Sequence, residues 1–217
     1  MTCSRSAIAG DDGRAMTAER DRDPERVEVL STERIHDDGF FAIDRARIRH
    51  ERFRGGMTAP MTRLVFERGD AVAVLPYNRE RREVVLVQQF RYPVHVRGDR
   101  AWIWEIIAGM QDGGRAPEEV ARAEAMEEAG LELDDLRHVL TIYPSPGGCS
   151  ERLHVYLAPY EEGQRVAPGG GLAESGEDIR VRVLGLEEAL AMVRDGRIVD
   201  AKTVAALLYL RAWWPER

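Results

Sequence analysis

The stretch Ala108–Leu133, "AGMQDGGRAPEEVARAEAMEEAGLEL", sets a physical problem in a chain whose formal charge is already -7. Glu124, Glu127 and Glu128 fall within two turns of one expected helix. Carboxylates three and four residues apart share a helical face, and like charges at that spacing destabilise it by roughly 0.2–0.5 kcal/mol per pair. Something should offset that cost. Converging carboxylates are hard oxygen donors of the kind that suit Mg²⁺ or Mn²⁺, which keep several waters and bind through one or two carboxylates plus substrate phosphates. An exposed acidic face would use the same residues. The preceding "AGMQDGGRA" favours the ion, because a glycine-rich turn between strand and helix lets backbone carbonyls approach it without a side chain in the way. It is not a phosphate-cradling P-loop, since no Lys-Ser or Lys-Thr pair follows.

Outward from the glutamates, Pro117 suits the first helical position, Glu118 and Glu119 suit the positive end of the helix dipole, and Gly130 suits the C-terminal stop. These signals predict a helix over 117–129. Upstream, "VEVLSTERI", "GFFAIDRARIRHERF" and "MTRLVFERG" alternate apolar with polar residues and predict a small N-terminal antiparallel sheet. "DAVAVLPYN" and "EVVLVQQFRY" read as core strands in a hairpin, and "AWIWEIIAGM" as one further strand leading into the helix. Downstream, "LRHVLTIYPSPGG" and "SERLHVYLAPY" read as strands flanking a loop. "EEGQRVAPGGGLAESGED" is a long glycine-rich loop of a length that is more often functional than not. "IRVRVLGL" resumes the sheet, and "LEEALAMVRDG" and "DAKTVAALLYLRAWW" are helices. Strands and helices mix without regular βαβ alternation, so the expected class is α+β or α/β, a mixed sheet with helices on both faces.

Composition narrows the function classes. Hydrophobic residues at 44% and charged residues at 32% describe a globular protein, and no apolar run approaches the roughly 20 residues needed to cross a bilayer. No membrane partner is expected. An acidic chain without an arginine block carries no nucleic-acid footprint. Cys3 and Cys149 make no disulfide framework, which with the absence of a signal-peptide core points to the cytoplasm. Residues 1–25 read as a disordered leader or a misplaced start codon, residues 26–68 as the small sheet, and 69–217 as the main domain. Lys202 is the only lysine, for which codon bias is the plain explanation.

The glutamate stretch resembles the Nudix box, in which a Gly, five residues, a Glu and seven residues precede Arg-Glu-U-x-Glu-Glu-x-Gly-U, with U a bulky aliphatic residue. Gly109, Glu124, Glu127, Glu128, Gly130 and Leu131 fall in register. Arg115 stands where the first Glu belongs, Ala123 where the Arg belongs, and Ala125 is small for U. Either a supporting ion pair is jointly lost, or Arg115 reaches the cluster itself. Over roughly residues 26–215 the chain is similar to the bacterial ADP-ribose pyrophosphatases of that superfamily, through "SPGGCSER", "GLAESGEDIRV" and Pro146, which sits 15 residues past Leu131.

The resemblance implies an α/β/α Nudix sandwich and the Mg²⁺-dependent hydrolysis, possible also with Mn²⁺, of ADP-ribose to AMP and ribose 5-phosphate. It implies metal ligation by the Ala108 carbonyl, Glu124, Glu128 and Glu177, with Glu127 beside them. Ser175 occupies the position of the family's general base, leaving Glu174 or Glu177 to accept the proton. Substrate contacts carried over are Phe40, Phe41, Arg63, Arg68, Arg91, Met110, Ser145 and Glu151; on pattern alone, Phe40 and Phe41 also fit core aromatics. A homodimer with exchanged N-terminal strands is implied too. Two other functions stay open: a GDP-mannose pyrophosphatase of the same branch, and a degenerate domain that senses ADP-ribose without catalysis.

Overall fold

The computed structural model describes residues 23–111, 114–172 and 176–214. The expected leader falls mostly outside them, and Cys3, Glu174 and Ser175 also lie outside the described residues. The chain divides into two compact units, Met1–Glu67 and Arg68–Arg217.

In the first unit, β1 (Val27–Asp37), β2 (Ala42–His50) and β3 (Met61–Glu67) form an antiparallel sheet in the order β1-β2-β3. Asp38 shapes the β1–β2 turn by accepting from the amides of Phe40 and Phe41 at 2.9 and 2.7 Å. Within this unit Ala42 is the one fully buried apolar residue among the described residues, while Val27, Val29, Leu30, Phe40, Phe53 and Leu64 are exposed. Three strands with so little covered surface are marginal by themselves.

In the second unit, β4 (Ala71–Asn78) and β5 (Glu83–Phe90) begin as the expected hairpin, pairing Tyr77 with Val84 and Asn78 with Glu83. A short helix α1 (Tyr92–Val96), not expected from the sequence, follows β5. The single strand expected over "AWIWEIIAGM" is two strands, β6 (Trp102–Glu105) and β7 (Ile107–Met110). After two residue pairs β4 and β5 part company; β6 then pairs with β5, and β7 pairs with β4. The chain changes partner at Ile106, whose amide leaves the ladder and donates to the buried Thr203 Oγ1 at 2.8 Å. A buried amide needs such a partner, so the switch is chemically complete.

Next come α2 (Pro117–Ala129), the antiparallel pair β8 (Arg137–Ile142) and β9 (Leu153–Pro159), β10 (Arg180–Gly185), α3 (Leu186–Arg194) and α4 (Ala201–Ala212). The large sheet runs β10-β5-β4-β9-β8 with β6 and β7 inserted as described, and its parallel pair β4·β9 makes it mixed. Alternation along β4 builds two cores. Ala71, Ala73, Leu75 and Tyr77 pack with Leu186, Leu190, Leu207 and Leu210 of α3 and α4 on one face. Val72 and Val74 pack with Val120, Ala121, Ala125 and Ala129 of α2 on the other. Each fully buried valine contributes about 1.5–3 kcal/mol relative to exposure, so the central strand is fixed from both sides. The expected mixed sheet with helices on both faces is the observed one. Among the described residues no helix is long and apolar enough to cross a membrane.

Candidate active site

Helix α2 starts where the sequence places it, and its geometry aims the glutamates. Pro117 occupies the first turn, and the Ala116 amide donates to Glu119 Oε2 at 3.0 Å. Alanine has no side-chain oxygen to return the bond, so this is half a capping box. At the other end Gly130 takes a left-handed φ of 67° and its amide returns to the Met126 carbonyl at 3.0 Å. The long loop after β9 completes this end: the amides of Gly171, Gly170 and Val166 donate to the carbonyls of Glu127, Glu128 and Gly130 at 3.1, 2.9 and 2.9 Å. The loop that carries Glu177 is thereby bonded to the helix that carries Glu124 and Glu128.

Gly109 on β7 faces α2 at very short range. A Cβ there would lie 1.9 Å from Glu124 Oε1, so the Glu124 carboxylate rests where any other residue's side chain would begin. That is the steric reason for glycine beside the Ala108 carbonyl. Glu128, one turn along, is only 3% exposed, and its Oε2 makes no hydrogen bond in the structure. Burial, then the neighbouring charges of Glu124, Glu105 and Glu177, push its carboxyl up to about 8 against a partial counter-effect from Arg91. The two expected ligands of α2 therefore differ in surroundings: Glu124 is half-buried over Gly109, and Glu128 is buried.

Among the described residues no group of three or more His, Cys, Asp or Glu side chains is gathered closely enough to hold a metal by itself. The donor set still fits a hard cation. An orphaned buried carboxylate oxygen, a second carboxylate cradled on a glycine, and the Ala108 carbonyl are all oxygen donors, and Mg²⁺ leaves its remaining positions to water and phosphate. Glu127 lies on the exposed side of the helix. Glu177 is exposed, its carboxylate accepting from the Leu172 amide at 3.1 Å. Arg115 is exposed in the turn before α2, its carbonyl accepting from the Gln111 side chain at 3.3 Å.

Three of the expected substrate residues converge. Arg68 donates through Nη2 to Met110 Sδ at 3.1 Å, and its Nε lies 3.7 Å from Glu151 Oε1. Ser145 is exposed in a turn where its carbonyl accepts from the amides of Gly148 and Cys149. Phe40, Phe41 and Arg63 sit on the first unit. Phe40 is 65% exposed at a turn tip, its ring 4.4 Å from that of Phe41, and so is not a core aromatic. Arg63 is exposed and donates to the Thr62 carbonyl at 3.0 Å.

Arg91 is held by partners absent from the expected set. Its Nε and Nη2 donate to Glu105 Oε1 and Oε2 at 2.7 and 2.9 Å, a two-point pair. Lys202 Nζ donates to the same Oε2 at 2.6 Å and to Asp200 Oδ1 at 3.0 Å. Asp200 caps α4 by accepting from the Thr203 amide at 3.0 Å. Two signals in the sequence point to this network: Glu105 is the one charge inside "AWIWEIIAGM", and Lys202 is the only lysine of the chain.

The site thus sets two carboxylates of one helix beside a glycine of the adjacent strand, on a mixed sheet between helices. The chain belongs to the NUDIX domain family, whose model matches residues 67–207. It is 41% identical over 186 residues to an ADP-ribose pyrophosphatase of Escherichia coli strain K12, covering 85% of this chain and 88% of that protein. An ADP-ribose pyrophosphatase of Haemophilus influenzae is 36% identical, with 85% and 86% covered. A GDP-mannose pyrophosphatase of Pectobacterium atrosepticum is 38% identical, with 82% and 92% covered.

Proposed function

We propose that this chain hydrolyses the diphosphate of a nucleoside diphosphate sugar, with ADP-ribose as the first substrate and AMP and ribose 5-phosphate as products. The observation that carries this is the buried, unpartnered Glu128 carboxylate one turn from Glu124 in a NUDIX domain. A buried anion without a partner is costly unless a cation joins it, and the cation left over here has the phosphates of a substrate to bind. The relatives named above support the substrate class; their identities overlap between ADP-ribose and GDP-mannose, so GDP-mannose is the second substrate to test.

In this proposal Glu124, Glu128 and the Ala108 carbonyl hold Mg²⁺, with Mn²⁺ as an alternative. A cation held by these oxygens would supply charge neutralisation of the diphosphate and a lowered pKa for the attacking water. Water oxygen bonds to one phosphorus as the bridging P–O bond breaks, and the water's proton passes to a loop carboxylate. Glu177 serves as that base, or shares the task with Glu174, a role typically worth about 10²- to 10⁴-fold. Glu127, on the exposed side of the helix, would act through water rather than by direct contact. Arg91 donates to phosphate oxygens, while Arg68, Met110, Ser145 and Glu151 line the sugar side.

Phe40, Phe41 and Arg63 contact the base from a second copy, in a homodimer with exchanged N-terminal strands. The exposed apolar residues of the three-stranded sheet support that partner, because such a sheet needs cover. The cytoplasm suits a chain whose two cysteines form no disulfide framework. A panel of nucleoside diphosphate sugars, with and without Mg²⁺, tests the function. Mg²⁺-dependent release of a nucleoside monophosphate supports it; tight ADP-ribose binding with no release would favour a sensor. Light scattering on the purified protein tests the dimer.

A further inference from the structure

The final helix reaches back to the candidate site through its first turn, and one side chain there has no part in the family pattern described above. Lys202 is mostly buried, and its Nζ donates to Glu105 Oε2 at 2.6 Å and Asp200 Oδ1 at 3.0 Å. Arg91 Nη2 donates to that same Glu105 oxygen at 2.9 Å, while Arg91 Nε takes the other at 2.7 Å. A guanidinium has five N–H donors, so this leaves three for a ligand. Arg91 and Glu128 feel each other's charge, so the guanidinium lies in the neighbourhood of the candidate carboxylates.

The sharing has two physical effects. A carboxylate that also accepts from Lys202 spends less of its charge on Arg91 than one facing Arg91 alone, while Asp200 takes up part of the Lys202 charge in turn. Lys202 also fixes Glu105 through the oxygen it shares with Arg91, and a doubly held carboxylate holds the planar guanidinium in one orientation. Thr203, the next residue, binds the Ile106 amide at 2.8 Å, two residues before Ala108. One helical turn thus braces both the arginine and the strand that presents the candidate carbonyl ligand.

We propose that Lys202 is a positioning residue for substrate binding: it shares Glu105 with Arg91 so that the remaining Arg91 donors are held toward the substrate diphosphate. This rests on the nucleoside diphosphate sugar function proposed above. A merely structural lysine would stabilise the fold without acting through Arg91, and a double-mutant cycle separates the two roles. The readouts are steady-state hydrolysis of ADP-ribose with Mg²⁺, the calorimetric Kd for α,β-methylene ADP-ribose, and thermal melting.

Lys202→Met is expected to raise KM and Kd about tenfold with kcat changed less than about threefold, and Lys202→Arg to recover most of the loss. In an Arg91→Ala background the same Lys202→Met change should alter Kd less than about twofold. Equal losses in both backgrounds, or an unchanged Kd in the parent background, would overturn the inference. Should melting show that Lys202→Met does not fold, Lys202→Gln, which keeps a donor but no charge, takes its place in the cycle. If the parent protein neither binds the analogue nor cleaves ADP-ribose or GDP-mannose, the proposed function itself is lost and the role of Lys202 with it. If the parent does both and Lys202→Met binds as tightly, the role of Lys202 alone is lost.

Discussion

Glu105 and Glu128 are equally hidden, 1% and 3% exposed, yet their chemistry runs in opposite directions. Glu105 is held below the usual carboxylate range: its burial is outweighed by hydrogen bonds and charge from Arg91 and Lys202. Glu128 is pushed up to about 8, because burial and the nearby Glu124 act on it with little compensation. Burial does not set protonation; the partners do. Glu105 has its cations supplied by the protein, whereas the buried Oε2 of Glu128 has no donor bonded to it.

That contrast can be broken most sharply at Glu128. Glu128→Gln is expected to lower Mg²⁺-dependent turnover by roughly 10³-fold while the protein still melts cooperatively, because only the missing anion is lost. Retained turnover would mean that Glu128 is not a ligand. The same substitution at Glu105 should act first on stability, with activity lowered only as far as Arg91 loses its hold. Glu105→Gln leaves Arg91 and Lys202 without their shared anion, so stability should fall by about 3 kcal/mol, read from denaturant midpoints. If both variants behave alike, the distinction drawn between the two sites is wrong.

Linkage gives a third prediction. The folded pKa of Glu128 is raised above its unfolded value of 4.5, so between the two the native state binds more protons than the unfolded state. Metal-free protein should therefore lose stability as pH rises from about 5 to 8, by on the order of a few kcal/mol from this group. Glu128→Gln should flatten that slope, and added Mg²⁺ should raise the melting temperature more at pH 8 than at pH 6. Gly109→Ala comes next: its Cβ forces the Glu124 carboxylate aside, with Mg²⁺ affinity expected to fall about 10- to 100-fold in a titration and melting to change little. The smallest effect belongs to Glu127→Gln, an exposed position, expected to change kcat/KM less than about tenfold and stability within about 0.5 kcal/mol.

Much of this molecule is written locally. The bounds of α2 follow from Pro117 and Gly130, and the alternating partners of Val72, Ala73, Val74 and Leu75 follow from a fully apolar strand covered on both faces. The three N-terminal strands are legible from their alternation. The break in "AWIWEIIAGM" is not, because nothing within those ten residues reveals that β4 and β5 diverge and that Thr203, 97 residues away, waits for the Ile106 amide. The exposure of Phe40 is equally hidden, since an aromatic pair beside a strand reads the same at a turn tip as in a core.

The sequence by itself determined the glutamate register, the glycine that admits Glu124, and the family to which they belong, since all three depend on spacing along one short segment. Only the tertiary structure decided which glutamate is left unpaired. Glu105, Arg91 and Lys202 come from three separate stretches of the chain, and the charge a carboxylate carries is set by what folding brings within a few ångströms of it, which no spacing along the chain records.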